Sequence, residues 1–417
     1  MRLAYLCADF GIPVYGAKGA AIHVREMATA LHRHVGVQIF TPRTGGDRPA
    51  GFPVPVHHVP LPAVDHALYD ALRDDERGGT DVAREVRAML YATVLRHVVA
   101  STMRPRPDAI YERYALFGTA GVALARELDI PLILEVNAPL ADEQAAHRGL
   151  SFSQAARTTE QSTLRQADRV VAVSTTLRDW LVDSGVDPAR IDVLPNGVDA
   201  ARFAPIASTR ERMRADLNIG ADECVVGFVG TLKAWHGTAT LLAAVALLRS
   251  LAPRLPIRLL IVGEGPERVL LQSLAATSGI ADVTHFTGAV PHADVPAYVG
   301  AMDIAVAPYD QVGRFYFSPL KVFEYMAAGR PVVAAGVGQL AECLRHGETA
   351  LLYPPGDLAA LTSALRSLAE SPRERVRLGI AAHSWVETHH SWAGNARRVV
   401  ELIDNARGVT RDVRGVA

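Results

Sequence analysis

Cysteine is scarce in this chain. Three occur in 417 residues, Cys7, Cys224 and Cys343, far apart and odd in number. That leaves neither a disulfide framework nor a Cys-x-x-Cys metal centre. Long apolar runs are missing too: stretches such as Leu241 to Leu248 fall well short of the roughly 20 residues a bilayer span needs. Met1-Arg2-Leu3 leads directly into a strand-like run ending at Cys7, with no signal-peptide h-region or cleavage site behind it. A cytoplasmic location is therefore expected. Charge of either sign is not in excess, since 43 basic residues face 44 acidic ones for a net charge of −1. No overall field exists to gather nucleic acid or an anionic membrane, and small partners are expected instead. A Gly-x-Gly-x-x-Gly followed about 20 residues later by an acidic ribose ligand within one βαβ unit is also absent, which sets aside a dinucleotide-dependent oxidoreductase.

What is present is alternation. Short runs rich in Val, Ile and Leu alternate with longer helical stretches, the pattern of parallel sheet with crossover helices, and the length calls for two domains. The first set of strands is expected at Leu3–Cys7, Val37–Phe40, Val54–Val59, Ala109–Tyr111, Leu132–Val136, Val170–Val173 and Ile191–Leu194. A second set starts afresh with Cys224–Val229, Arg258–Val262, Val283–Phe286, Ile304–Ala307, Val332–Ala334 and Ala350–Leu352. Between the sets, Asn196 to Asp222 is poor in strand signal and holds Gly197, Pro205 and the charged Arg210–Arg214 cluster, so it reads as a hinge. An arm from Ala63 to Arg104 reads as two helices around the polar break Asp74-Asp75-Glu76-Arg77-Gly78-Gly79. The resulting fold class is α/β, with two doubly wound domains facing across a cleft where ligands would bind beyond the carboxyl ends of the strands.

The most informative stretch is Phe317-Ser318-Pro319-Leu320-Lys321-Val322-Phe323-Glu324, running on to Gly329 and the strand at Val332. Ser318 suits an N-cap and Pro319 the first helical position, so free N–H groups and the positive end of the helix dipole would face an anion. Lys321 falls in that first turn, where a cation opposes the dipole by roughly 0.3–1 kcal/mol unless an anion lies between them. Glu324, four residues after Leu320 on the same face, is placed to accept hydrogen bonds from a sugar diol. Phosphate plus ribose describes a nucleotide. Three strand-to-helix turns add glycines where backbone must come close to a ligand. They are Gly16-Ala17-Lys18-Gly19, ahead of the helix that carries His23; Gly230-Thr231-Leu232-Lys233-Ala234-Trp235-His236-Gly237; and Gly263-Glu264-Gly265-Pro266. Lys233 and His236 in the second turn suggest neutralised phosphate charge, and Gly263 and Gly265 would leave room for a flat base or a phosphate.

Taken in order, Pro195-Asn196-Gly197-Val198-Asp199, the Gly230–Gly237 loop, Val262-Gly263-Glu264-Gly265-Pro266 and the Ser318–Ala334 block resemble glycosyltransferase family 4, over nearly the whole chain. The resemblance implies the GT-B fold, two Rossmann-like domains. An acceptor-binding domain would span 1–203, joined by a C-terminal helix at 390–417 that crosses back. A linker at 204–222 and a nucleotide-sugar-binding domain at 223–389 would follow. It also implies a retaining, metal-independent transferase in which the nucleotide sugar is a co-substrate and no cofactor is needed. No Asp-x-Asp or His/Cys ligand cluster stands against that.

Carried over by residue, the resemblance assigns Glu324 to the ribose hydroxyls. A second family glutamate, eight residues earlier, falls here on Tyr316, which offers one hydroxyl or a ring in place of a carboxylate. The usual Arg and Lys of the second-domain phosphate loop fall on Thr231 and His236, so Lys233 and Lys321 are expected to share the diphosphate. A histidine that relatives place after the strand at Leu132–Leu134 is replaced in Glu135-Val136-Asn137. Asn137 can hydrogen-bond but cannot take a proton, which suits a retaining reaction whose leaving phosphate receives the acceptor proton. The expected catalytic set is Asn137, Lys233, Lys321 and Glu324. The expected donor set adds Gly16, Gly19, Gly230, Thr231, His236, Gly263, Gly265, Tyr316, Ser318, Pro319 and Leu320. His23, Glu112, Arg113 and Glu135 are candidates for acceptor binding. The resulting expectation is transfer of a sugar from a UDP- or GDP-sugar to a soluble small molecule in a natural-product, thiol or cell-surface pathway. Two alternatives on the same fold are a sugar-nucleotide epimerase and a nucleotide-sugar-binding protein without turnover. A homo-oligomer is compatible with the chain.

Overall fold

The computed structural model describes residues 1–75, 79–310 and 315–412. It divides into two units, Met1–Pro195 with the C-terminal stretch from Trp392, and Asn196–Ser391. The first unit is built on β1 (Arg2–Cys7), β2 (Gly36–Thr41), β3 (Val56–His58), β4 (Ala109–Arg113), β5 (Leu132–Val136), β6 (Arg169–Ala172) and β7 (Ile191–Val193). They form one seven-stranded sheet in the order β3-β2-β1-β4-β5-β6-β7. The second holds β8 (Cys224–Val229), β9 (Ile257–Val262), β10 (Thr284–Gly288), β11 (Ile304–Ala307), β12 (Val332–Ala335) and β13 (Ala350–Tyr353), ordered β10-β9-β8-β11-β12-β13. All pairings between these strands are parallel. Each sheet reverses its strand order next to its first strand, as doubly wound folds do. Every strand expected from the apolar runs is present, and the central ones, buried within their sheets, are largely apolar. β8, for example, is buried from Cys224 to Val229.

The arm is two packed helices, Ala63–Asp74 and Gly79–Thr102; of its polar break, Glu76-Arg77-Gly78 lie outside the described residues. The hinge reading is corrected. Asn196–Asp222 belongs to the second unit, and within the expected linker Ala207–Asp216 is a helix. Its charged cluster is an anchor: Arg210 and Arg214 donate to the two carboxylate oxygens of Asp303 at 2.7 and 3.0 Å, and Asp303 also accepts from the Val225 amide at 2.8 Å. The first unit thus ends at Pro195 and not at 203. The chain rejoins it at Trp392 and not at 390, since His390 packs its ring 4.7 Å from Phe323 in the second unit. Among the described residues no helix is long and apolar enough to cross a membrane.

Candidate functional site

In the second unit, β8 is followed by Gly230, whose φ of +147° favours glycine. β9 is followed by Gly263, at φ +141°. The two loops that follow are zipped together: the amides of Gly230 and Leu232 donate to the carbonyls of Val262 and Glu264 at 2.9 and 3.0 Å, and Glu267 donates to Leu232 at 3.1 Å. A Cβ on Gly263 would strike the Gly230 carbonyl, and one on Gly265 the Leu232 backbone. The space expected there for a base or phosphate is therefore filled by the neighbouring loop. These glycines act through loop docking, which in turn sets the course of Gly230, Thr231 and Lys233.

The helix after β11 runs from Leu320 to Ala327, with Pro319 as its N-cap and no side-chain cap. The expected start is thus displaced by one residue. Ser318 does not cap because it is committed elsewhere: its hydroxyl oxygen accepts from the Asn196 amide at 2.8 Å, and its carbonyl accepts from Asn196 Nδ2 at 2.5 Å. This clamp ties Asn196 to the helix opening. Val322 bonds back to Pro319 at 3.2 Å, and helical geometry gives the N–H groups of Leu320 and Lys321 no acceptor.

Lys321 Nζ lies 4.1 Å from the centre of the Phe228 ring and 5.3 Å from that of Tyr309. It abuts Gly230, where an added Cβ would come within 2.6 Å. Although the side chain as a whole is only partly covered, Nζ itself is enclosed and has no hydrogen-bond partner among the described residues. Burial pushes its pKa down to about 7, and attraction to Glu324 opposes that only in part. His236 is neutral: burial first, then the Lys321 charge, pushes it down to about 3. Its Nδ1 sits on the Thr231 carbonyl. Lys233 is exposed, 5.9 Å from the Trp235 ring, and its charge also acts on His236. Trp235 stacks on Phe317 at 4.9 Å, and Tyr316 leans on Phe317 at 4.4 Å. Glu324, one turn beyond Lys321, is buried and accepts from His292 at 2.8 Å.

In the first unit, Arg113 on β4 pairs in register with Glu135 on β5. Alternation along a strand then puts Tyr111, Arg113 and Glu135 on one face and Glu112 on the other. Glu135 is saturated: its oxygens take hydrogen bonds from His23 at 2.8 Å, Arg113 at 2.8 Å, Asn137 at 2.7 Å and the Tyr111 hydroxyl. Burial would raise its pKa, yet His23 and then Arg113 hold it well below the usual carboxylate range. His23 is buried, its ring edge-on to Trp392 at 5.1 Å. Four of the expected residues thus meet at one point. Glu112 does not join them. It lies against Gly121 on the opposite face, neither oxygen has a hydrogen bond of regular geometry, and burial pushes it up to about 7. Gly16 is held in its own turn, donating to Pro13 at 2.8 Å, while Arg25 grips the carbonyls of Val14 and Gly16 at 2.5 and 2.7 Å. Gly19 opens the helix Gly19–His32 behind Lys18. Among the described residues no group of three His, Cys, Asp or Glu side chains is placed to hold a metal ion.

Sequence reasoning did not single out His292, Arg202, Tyr111 or Trp392. Asn196 was visible only as part of a motif. Residues 223–371 match the family model described as glycosyl transferases group 1, and residues 18–197 match that of a glycosyl transferase 4-like domain. Among curated proteins, the chain is 30% identical to the D-inositol 3-phosphate glycosyltransferase of Kineococcus radiotolerans, over 94% of this chain and 91% of that one. It is 31% identical to the enzyme of the same name from Rhodococcus erythropolis, over 92% and 86%. With the glycogen synthase of Mycobacterium tuberculosis it shares 29% over 69% of this chain, and the match spans only 66% of that relative's length. Among solved structures, Anabaena HepE in complex with UDP superposes with a TM-score of 0.74 at 20% identity, covering 97% of this chain and all of that one. A sucrose-phosphate synthase from Thermosynechococcus elongatus does so at 0.73 and 21%, covering 98% and 99%. Both therefore share the fold.

Proposed function

The chain belongs to the group 1 glycosyl transferases, and from that premise we propose that it moves a sugar from a UDP- or GDP-sugar to a soluble small-molecule acceptor, with retention at the anomeric carbon. The observation that carries the donor side is Lys321: an enclosed ammonium without a hydrogen-bond partner among the described residues, beside an uncapped helix opening and one turn from a carboxylate. Burying a charge unpaired is costly, and a diphosphate would supply the missing partner. In this reading the amides of Leu320 and Lys321, the Lys321 ammonium and the exposed Lys233 take up the charge that grows on the leaving nucleoside diphosphate. Glu324 accepts from the ribose hydroxyls, and His236, being neutral, offers a lone pair or packing and no charge. The leaving phosphate oxygen receives the acceptor proton on the face it departs from, so no side chain needs to act as base.

On the acceptor side, Glu135 is already bonded four times over and is a brace for Asn137, Arg113 and His23. Asn137 has given an amide hydrogen to Glu135 and keeps its carbonyl oxygen for an acceptor hydroxyl. The relatives named for D-inositol 3-phosphate support a polar polyol or similar small molecule as acceptor, in a natural-product, thiol or cell-surface pathway of the cytoplasm. The test is release of nucleoside diphosphate from each UDP- and GDP-sugar, with and without small-molecule cell extract, followed by proton NMR of the product's anomeric centre. Extract-dependent release with retained configuration is expected. Failure to bind UDP, GDP or any of their sugars would overturn the reading.

A further inference from the structure

Glu324 and Lys321 carry opposite charges three residues apart on one helix, yet they form no ion pair. The reason lies in two other segments. His292, in the loop between β10 and the helix Val295–Ala301, places Nε2 2.8 Å from Glu324 Oε1. Arg202, in the short helix Ala200–Phe203, places one guanidinium nitrogen 3.1 Å from His292 Nδ1 and 3.1 Å from the His292 carbonyl oxygen. A guanidinium has only donors. Nδ1 must then be the accepting nitrogen, the proton sits on Nε2, and His292 donates to Glu324. Buried Phe203 sets its ring 6.4 Å from the imidazole on a further side.

We infer that His292 is a positioning residue, locked into its Nε2–H tautomer by Arg202, that holds Glu324 by one oxygen so that the other can bind a ribose diol and Lys321 stays unpaired for the diphosphate. The inference rests on the nucleotide reading above and adds a residue to it. Oε2 accepts no hydrogen bond among the described residues, so one acceptor is fixed in direction and one is left for a ligand. Without the imidazole, the carboxylate would lose its hydrogen-bond donor and be drawn toward Lys321, whose pKa already reflects that attraction. Ribose reading and diphosphate affinity would then fall together.

The test compares UDP and GDP with their 2′,3′-dideoxy forms by calorimetry on the full-length protein and on His292→Ala, His292→Gln and Glu324→Gln. The wild-type protein is expected to prefer the ribose form of its better nucleotide by about tenfold or more, the value of two hydrogen bonds to a carboxylate. His292→Ala should cut that preference to about threefold or less. His292→Gln, whose amide can stand in for Nε2–H, should restore most of it, which a loss of mere packing would not. If His292→Ala does not fold, Arg202→Met carries the same test by releasing the tautomer, and an undiminished ribose preference in it overturns the relay. A His292→Ala protein with full preference, beside a Glu324→Gln protein without it, also overturns the relay and leaves the nucleotide reading standing. If Glu324→Gln keeps the preference too, Glu324 does not read ribose and both fall.

Discussion

Lys321 is held at a cost to the ligand-free protein. In the unfolded chain its ammonium titrates near 10.5, whereas in the fold burial brings it to about 7. Between those values the unfolded state binds more protons, so this residue makes stability rise with pH across that window. Lys321→Met is therefore expected to raise the melting temperature of the free protein at pH 7 by about 2 °C or more, while weakening binding of a nucleoside diphosphate far more than that of the nucleoside. A variant that melts lower and binds both equally would contradict the assignment. Glu112 gives a second titration with the opposite slope. Its carboxyl is raised from about 4.5 to about 7 by burial, so the folded state holds the extra proton and stability falls as pH rises through that interval. Glu112→Gln should match the wild type in urea unfolding at pH 4.5 and exceed it by about 1–3 kcal/mol at pH 8; a gap that does not change with pH would remove Glu112 as its source. No spacing in the sequence distinguishes Glu112 from Glu135, since both lie at strand ends. Only the β4–β5 register, which pairs Arg113 with Glu135, sends one to a saturated cluster and the other to the opposite face, against Gly121.

At the level of elements, the strands and the turns at Gly230, Gly237 and Gly263 were legible because each is a local signal: an apolar run, or a residue type that positive φ demands. The helix opening was legible to within one residue. It shifted because Ser318 is claimed by Asn196, 122 positions away in the chain, and no local capping rule carries that information. The Arg202–His292–Glu324 chain was not legible at all, since its members come from a short helix, a loop and a second helix with no shared period. The role of Gly263 and Gly265 was misread for a related reason. A glycine next to a strand end signals close approach, but the sequence does not say whether a ligand or another loop approaches. Here it is the Gly230–Leu232 backbone. Gly263→Ala combines a φ of +141° with a collision against a carbonyl that cannot swing aside. It is expected to destabilise the second unit by more than about 1 kcal/mol and to weaken nucleotide binding by displacing Gly230 and Lys233. Calorimetric unfolding with and without UDP would show both, and an unchanged nucleotide affinity would mean that the two loops are not coupled.

At the level of the whole molecule, the first unit is not continuous in sequence. Its last element, the helix Trp392–Asp412, returns after the entire second unit has been made. It covers the helix Gly19–His32 and reaches β5, burying Trp392, Ala396, Val399, Leu402 and Ile403. Asn395 donates to the Pro195 carbonyl at 2.7 Å, and Arg398 pairs with Asp192 at 2.6 Å. At roughly 1.5–3 kcal/mol for each large buried apolar side chain, the helix contributes on the order of the 5–15 kcal/mol by which a domain is stable at all. Trp392 also closes over His23, whose bond to Glu135 belongs to the cluster proposed to brace the acceptor side. Ending the chain at Ser391 is therefore expected to abolish the cooperative unfolding of the first unit and to expose apolar surface to a hydrophobic dye. The second unit, whose sheet and Lys321–Glu324 helix lie wholly within Asn196–Ser391, would keep its own transition. Scanning calorimetry and dye binding on the shortened chain decide the matter: a first unit that still unfolds cooperatively would show that the returning helix is an accessory and that His23 and Glu135 are held without it.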